Sequence, residues 1–294
     1  MNHILATTPQ NVPAKTIAGY RDIIAHLDAT AADEIRLGHA EAIATRFGAH
    51  LMGVYTNMLP EAITYSAEIG AAAIFEMEQR LRQQGAARAK ILTERLARLE
   101  VASELRKIEE LPQFLRAAVV REARCADLFV ASCPRDGDDR QWTSMIESVL
   151  FEGGHGVYLI PPGAPARDAI RKIVVGWVDG REAARAIVEA MPFLRAATEV
   201  HVVSVKEFAS ETAALASLSD IARHLARHGV ATSISVEPAF ERSIAGALVD
   251  LAHRVSADLI VTGAYGHSRL REWLMGGATR ELLEKSDIPL LMAH

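Results

Sequence analysis

The stretch "DLIVTGAYGHSRLREWLMGGATRELLEK", Asp258 to Lys285, opens as an apolar strand and closes as a helix. Between the two lie Gly263, Gly266, Gly276 and Gly277, followed by Thr279. A glycine leaves its neighbouring backbone N–H groups uncovered and tolerates positive φ. A helix start adds unpaired N–H groups and a partial positive charge of roughly half a unit. Together they predict an anion site suited to phosphate, with the Thr279 hydroxyl beside it as a cap or a ligand. The competing reading is that the glycines serve only tight turns and close packing.

Working outward, apolar β-rich runs recur between helical stretches. In the first half they are 22–28, 50–56, 105–110, 127–132 and 156–162; in the second, 172–178, 200–205, 230–237, 258–263 and 288–293. Several are apolar on both faces, as parallel strands covered by helices are. Between them, "AARAIVEAMPFL" places Ala183, Ile187, Ala190, Met191 and Leu194 on one helical face. Alternating β and α elements predict an α/β fold with parallel sheets. "ADLFVAS" (126–132) aligns with "ADLIVTG" (257–263) at an offset of 131, and "DIIAHLD" with "KIVVGWV" at an offset of 150. Two offsets with one element order indicate a duplicated domain. The expected boundary lies in the proline-rich 161–169, giving domains 1–163 and 164–294.

The chain has 294 residues, 50% hydrophobic and 23% charged, with net charge −5. That is globular, and no clustered positive charge favours nucleic acid. The N-terminus shows no signal-peptide pattern, and no apolar run reaches the ~20 residues a bilayer span needs. The expectation is a cytoplasmic protein with no membrane or nucleic-acid partner. Cys125 and Cys133 match neither a redox nor a zinc spacing. His224 and His228 are four apart on a helix, but no third ligand stands near, and Gly229 reads as that helix's C-cap.

The spacing Gly263-x2-Gly266-x9-Gly276 resembles the ATP-binding signature G-x2-G-x9-G-(S/T) of the universal stress proteins, and "GAYGHSRLREWLMGGATRELL" resembles their tandem bacterial members. "VVGWVDGREAARAI" (174–187) resembles their first strand, turn and helix. The resemblance implies, in each half, an open five-stranded parallel sheet of order 3-2-1-4-5 flanked by helices, of the adenine nucleotide alpha hydrolase-like type. It also implies ATP or a related adenine nucleotide, with or without magnesium, over the ends of strands 1 and 4. Gly266, His267, Gly276, Gly277, Ala278 and Thr279 would hold the phosphates. By their place in or after the loop, His267 or Arg269 either neutralises phosphate charge or lies on a solvated helix edge. Thr262 and Gly263 would border ribose and base and Val205 the adenine; Trp177 and Asp179, at the end of strand 1, are further candidates, Asp179 reaching the ligand if the strand has ended before it. Two positions depart from the family pattern: Gly277 stands where the signature has Ser or Thr, and Val178 where strand 1 ends in Asp.

In the first half the strand-1 acid is kept as Asp28, but the glycine positions fall on Ser132, Arg135, Met145 and Ile146, with Ser148 opposite Thr279. Side chains there would fill the phosphate space, so this half is expected to be degenerate and structural. The resemblance implies pairing of the domains, within the chain or in a homodimer. Trp142 and Trp273 read as a packing stripe, and Ala71 to Leu99 as an inserted two-faced helix. No Walker lysine follows the glycines. The leading expectation is a nucleotide-responsive stress protein rather than an enzyme. The alternatives are a weak nucleotide hydrolase or transferase, and a ligand-free scaffold.

Overall fold

The computed structural model describes residues 19–59, 71–134, 140–206, 211–239, 243–264 and 277–294. The first repeat runs β1 (Asp22–Leu27), α1 (Ala32–Phe47), β2 (His50–Met58), α2 (Ala71–Leu96), β3 (Ser103–Glu110), α3 (Pro112–Ala123), β4 (Leu128–Ser132), α4 (Arg140–Glu152) and β5 (Gly156–Ile160). The second runs β6 (Lys172–Gly176), α5 (Arg181–Ala196), β7 (Glu199–Lys206), α6 (Glu211–Arg227), β8 (Thr232–Pro238), α7 (Ile244–Arg254), β9 (Leu259–Gly263), α8 (Gly277–Lys285) and β10 (Leu290–Ala293). Every apolar run read from the sequence holds a strand, and each repeat follows the order 3-2-1-4-5.

The chain forms two compact units. The first consists of Tyr20–Ala131 with Gly137–His155; the second is built mainly from Gly156–His294 and takes in Ser132–Asp136. β5 therefore belongs to the second unit, where it runs antiparallel to β10 with Leu159 opposite Leu290 and Val157 opposite Met292. Glu189 of α5 fixes the start of β5 by accepting the Gly156 N–H at 2.9 Å.

The strands are apolar on both faces because helices cover both. β1 buries five consecutive residues, Ile23 to Leu27, and β9 buries Leu259, Ile260 and Val261. Their pairings repeat: Ile23 lies opposite Leu128 in the first unit and Ile173 opposite Leu259 in the second. One carboxylate sets this register in each unit. Asp127 accepts the N–H groups of Arg21 (2.6 Å) and Asp22 (3.0 Å). Asp258 does the same for Arg171 (2.8 Å) and Lys172 (2.9 Å). The equivalence follows the two sequence offsets and is direct structural support for the duplication.

The long α2 packs on its own sheet. Leu92 and Leu96 are buried, and Arg82 pairs at 2.9 Å with Glu109 of β3, which also accepts from Asn57 of β2 at 2.8 Å. In α5 the buried stripe is Ala183, Ala186, Ile187, Ala190, Phe193 and Leu194, so Phe193 replaces the expected Met191 on the core side.

Gly229 ends α6 at φ +80°, and the next N–H, of Val230, returns to the Leu225 carbonyl at 3.0 Å. This left-handed closure is the C-cap expected from the sequence. A β-carbon there is sterically opposed, so Gly229→Ala should lower the stability of the second unit by about 1–2 kcal/mol. Urea unfolding followed by circular dichroism measures it; an unchanged midpoint would contradict the cap.

Candidate functional site

In an open parallel sheet the ligand crevice lies beyond the strand carboxyl ends where the order reverses, here between β6 and β9. β9 ends in Thr262 and Gly263, both half-buried. Thr262 donates to the Gly263 carbonyl at 3.2 Å. A β-carbon on Gly263 would lie 2.6 Å from the Ala183 N and the Glu182 carbonyl carbon, both backbone atoms of α5. At this position glycine is therefore required by the close approach of a helix start, whatever else the loop holds.

α8 begins at Gly277, one residue earlier than the sequence suggested, with Ala278 next and Thr279 buried in its first turn. Among the described residues nothing lies within 4 Å of where a Gly277 β-carbon would stand. Gly266, His267, Arg269 and Gly276 lie outside the described residues, as do Arg135 and Trp273. β6 ends at Gly176, so Asp179 is already beyond the strand, where the alternation of faces no longer fixes its direction. Asp179 is exposed, while Trp177 is buried with its Nε1–H donating to Ser217 of α6 at 2.8 Å. Both border a cleft of about 540 Å³ that runs along α6 to His224. Val205, half-buried near the end of β7, does not line it. Of the described part of the predicted set, Trp177 and Asp179 share a cleft, Thr262 and Gly263 end β9 with Gly263 against α5, and Gly277, Ala278 and Thr279 open α8.

The neighbouring histidines are accounted for structurally. The His224 and His228 rings meet edge-on at 4.7 Å, and His228 Nδ1 faces Arg195 Nη2 at 2.9 Å. Among the described residues no group of three or more His, Cys, Asp or Glu could hold a metal ion.

The equivalent end of the first unit is built differently. α4 starts at Arg140, well ahead of Ile146, the counterpart of Gly277. Met145 and Ile146 are therefore mid-helix and buried, at 5% and 0% exposure. Ser148, the counterpart of Thr279, donates to the Ser144 carbonyl within α4 at 2.9 Å. The backbone N–H groups that open α8 have no equivalent here, because in α4 they sit inside the helix.

Asp28, just past β1, is held by Arg36, whose Nη2 lies 2.5 Å from Asp28 Oδ1 and 2.5 Å from Asp33 Oδ1. Arg36 is almost fully buried. Burial alone would raise the Asp28 pKa, but the Arg36 hydrogen bond and charge, with the Thr30 hydroxyl, bring it down to about 2. Asp33 is pushed up, chiefly by burial. Beside them His26 is 1% exposed, bonded through Nε2 to Thr56 Oγ1 at 2.9 Å, with its ring 4.6 Å from that of Trp142. Burial first, then the Arg36 charge, lower its pKa from 6.5 to about 3. His26, Asp28 and Trp142 border a cleft of about 760 Å³ lying wholly in this unit. Nothing in the sequence marked His26 or Arg36. His26 sits in an ordinary apolar strand, and Arg36 reads as one more charged residue on a helix.

The second unit is thus an α/β domain whose strands are parallel except for β5 against β10. Residues 169–294 match the model of the universal stress protein family. The chain is 42% identical over 48 residues to the stress response protein NhaX of Bacillus subtilis (strain 168), covering 16% of this chain and 29% of that one. It is 27% identical over 124 residues to the universal stress protein Slr1230 of Synechocystis sp. (strain ATCC 27184 / PCC 6803 / Kazusa), covering 42% of each. The matches thus span less than half the length of either curated relative. In fold, 94% of the chain superposes on 97% of a universal stress protein from Archaeoglobus fulgidus DSM 4304 with a TM-score of 0.72 at 13% identity. A functionally unknown protein from Pseudomonas aeruginosa PAO1 follows at a TM-score of 0.53 and 17% identity, with 95% and 94% covered. Among the described residues no helix is long and apolar enough to cross a membrane.

The buried histidine gives a pH dependence with a defined sign. The folded state keeps His26 neutral down to about pH 3, whereas the unfolded chain protonates it near 6.5. The unfolded state therefore takes the proton first, and stability is lost as pH falls through that window. Between pH 6.5 and 4.5 the loss from this group should be on the order of 2 kcal/mol. Urea midpoints of wild type and His26→Gln at the two pH values test it. The variant should show a shallower pH dependence; equal slopes would contradict the assignment.

Proposed function

We propose that the protein is a cytoplasmic, nucleotide-responsive stress protein whose second unit binds ATP or a related adenine nucleotide, with or without magnesium. The observation that carries this reading is the start of α8. Gly277, Ala278 and Thr279 form the first turn of this helix, and a β-carbon on Gly277 would meet no described atom within 4 Å. Backbone N–H groups there suit a phosphate through hydrogen bonding and the helix dipole together. The glycine spacing of 263–279 and the family match over 169–294 support the same assignment. Gly266, His267, Arg269 and Gly276 complete the phosphate side, with Trp177, Asp179 and Val205 toward the base. Phosphate binding would tie the 265–276 segment to the strand ends and bias the surface offered to partners, whether those are the other repeat or a second chain. The first repeat, 1–163, serves as a structural partner to 164–294 and takes no ATP, since α4 uses its own N–H groups internally.

A ligand-free scaffold is the second reading, and Gly263 favours it: the approach of α5 explains that glycine without any ligand. Calorimetric titration with ATP separates the two. Binding to the wild type should be lost, or weakened at least about a hundredfold, in Gly276→Val/Gly277→Val, because side chains replace the cradle. No heat from the wild type at millimolar ATP would establish the scaffold, and binding unchanged in the variant would move the site elsewhere. Mass spectrometry of heat-released nucleotide shows whether it leaves intact or as a hydrolysis product.

A further inference from the structure

The first unit holds the roomier of the two described clefts, about 760 Å³, which is the size of a site for a drug-sized molecule. Its walls are mainly apolar: Tyr55, Leu81, Leu115, Trp142 and Met145 all border it. Two features are left unanswered by the protein's own groups.

The first is His26, which forms part of the wall yet is 1% exposed. Its Nδ1 has no hydrogen-bond partner, and buried polar atoms in native proteins nearly always have one. The Thr56 hydroxyl has the Leu27 carbonyl as its own acceptor, at 3.4 Å. Nε2–H therefore donates to Thr56, and Nδ1 is left as a bare acceptor on a neutral ring. Nδ1 itself is buried, so a molecule that meets it has to displace part of the wall and bring an N–H or O–H.

The second is a pair of exposed arginines bordering the same cleft. Arg116 donates to the Ser144 hydroxyl at 2.9 Å, and Arg88 interacts with the Tyr55 hydroxyl. Among the described residues neither forms an ion pair. Asp28, the nearby acid, is already matched by Arg36. The charge of Arg116 is felt by Glu147, but neither arginine is closed into a direct ion pair with a described acid, and such a guanidinium can hold a carboxylate with two parallel bonds.

We propose that this cleft is a second ligand site, specific for an organic acid with a flat apolar body, a carboxylate for Arg88 and Arg116 and a hydroxyl or amino donor for His26 Nδ1. It is separate in chain and chemistry from the nucleotide site of the other unit. Trp142 and Met145 give the body its apolar contact surface; the second repeat has Gly276 in place of Met145.

Calorimetry on the full chain with 6-hydroxy-2-naphthoate tests it, with 2-naphthoate lacking the donor and 2-naphthol lacking the acid. The hydroxynaphthoate should bind at one site, and loss of either end should weaken binding roughly tenfold or more, since an unmet buried acceptor is costly. Arg88→Ala/Arg116→Ala, both at exposed positions, should weaken the two acids about tenfold and leave 2-naphthol unchanged. His26→Phe should make hydroxynaphthoate and naphthoate equal; should that variant not fold, the ligand series on the wild type carries the same discrimination. Gly276→Val/Gly277→Val should bind the hydroxynaphthoate like the wild type, so failure of the nucleotide reading leaves this result standing. No binding at millimolar hydroxynaphthoate would overturn the proposal. So would equal affinity for all three compounds, or displacement of the hydroxynaphthoate by ATP.

Discussion

One carboxylate per repeat sets the geometry on which the rest depends. Asp127 and Asp258 each gather two backbone N–H groups at the start of the first strand of their repeat, and each sends its own N–H back to that strand. A charge-assisted bond to backbone donors is stronger than a neutral one, and here two converge on one group. They pin strand 4 to strand 1 at their amino ends. With the register fixed there, the carboxyl ends of the same two strands must finish side by side, and the crevice between them follows. Asp258 is 8% exposed and is held further by Arg167 at 2.5 Å, so the clamp in the second unit is well shielded from water.

From that shared frame the repeats differ after strand 4. In the second, the described part of the helix opens at Gly277, where a β-carbon would meet no described atom within 4 Å. In the first, the helix is already formed at Arg140, and Met145 and Ile146 turn inward. At the positions equivalent to the α8 start, α4 is mid-helix: its backbone donors lie inside the helix, and Met145 and Ile146 are buried.

The fold was legible because buried parallel strands write themselves as apolar runs, and all ten runs hold strands. The duplication was legible because "ADLFVAS" and "ADLIVTG" carry the clamping Asp itself. The C-cap at Gly229 was legible because only glycine takes its φ without strain. What stayed hidden depends on contacts far apart in sequence. The antiparallel pairing of β5 with β10 joins strands of different repeats, and neither strand's composition records its partner's direction. His26 looks like one polar residue in "DIIAHLD"; its missing partner and its contact with Trp142 exist only once α4 is in place. Gly263 was read for its freedom toward a ligand, yet the structure shows a helix backbone pressed against it.

The pairing of β5 with β10 also bears on how the chain comes off the ribosome. Leu159 meets its partner Leu290 only after about 130 further residues have been made. Until then one edge of β5, five consecutive buried residues, has no strand to bond with. An uncovered apolar edge is a template for pairing with other chains, and a contact so distant in sequence closes slowly. The nascent protein should therefore be most prone to self-association, and most dependent on chaperones, during synthesis of its second repeat.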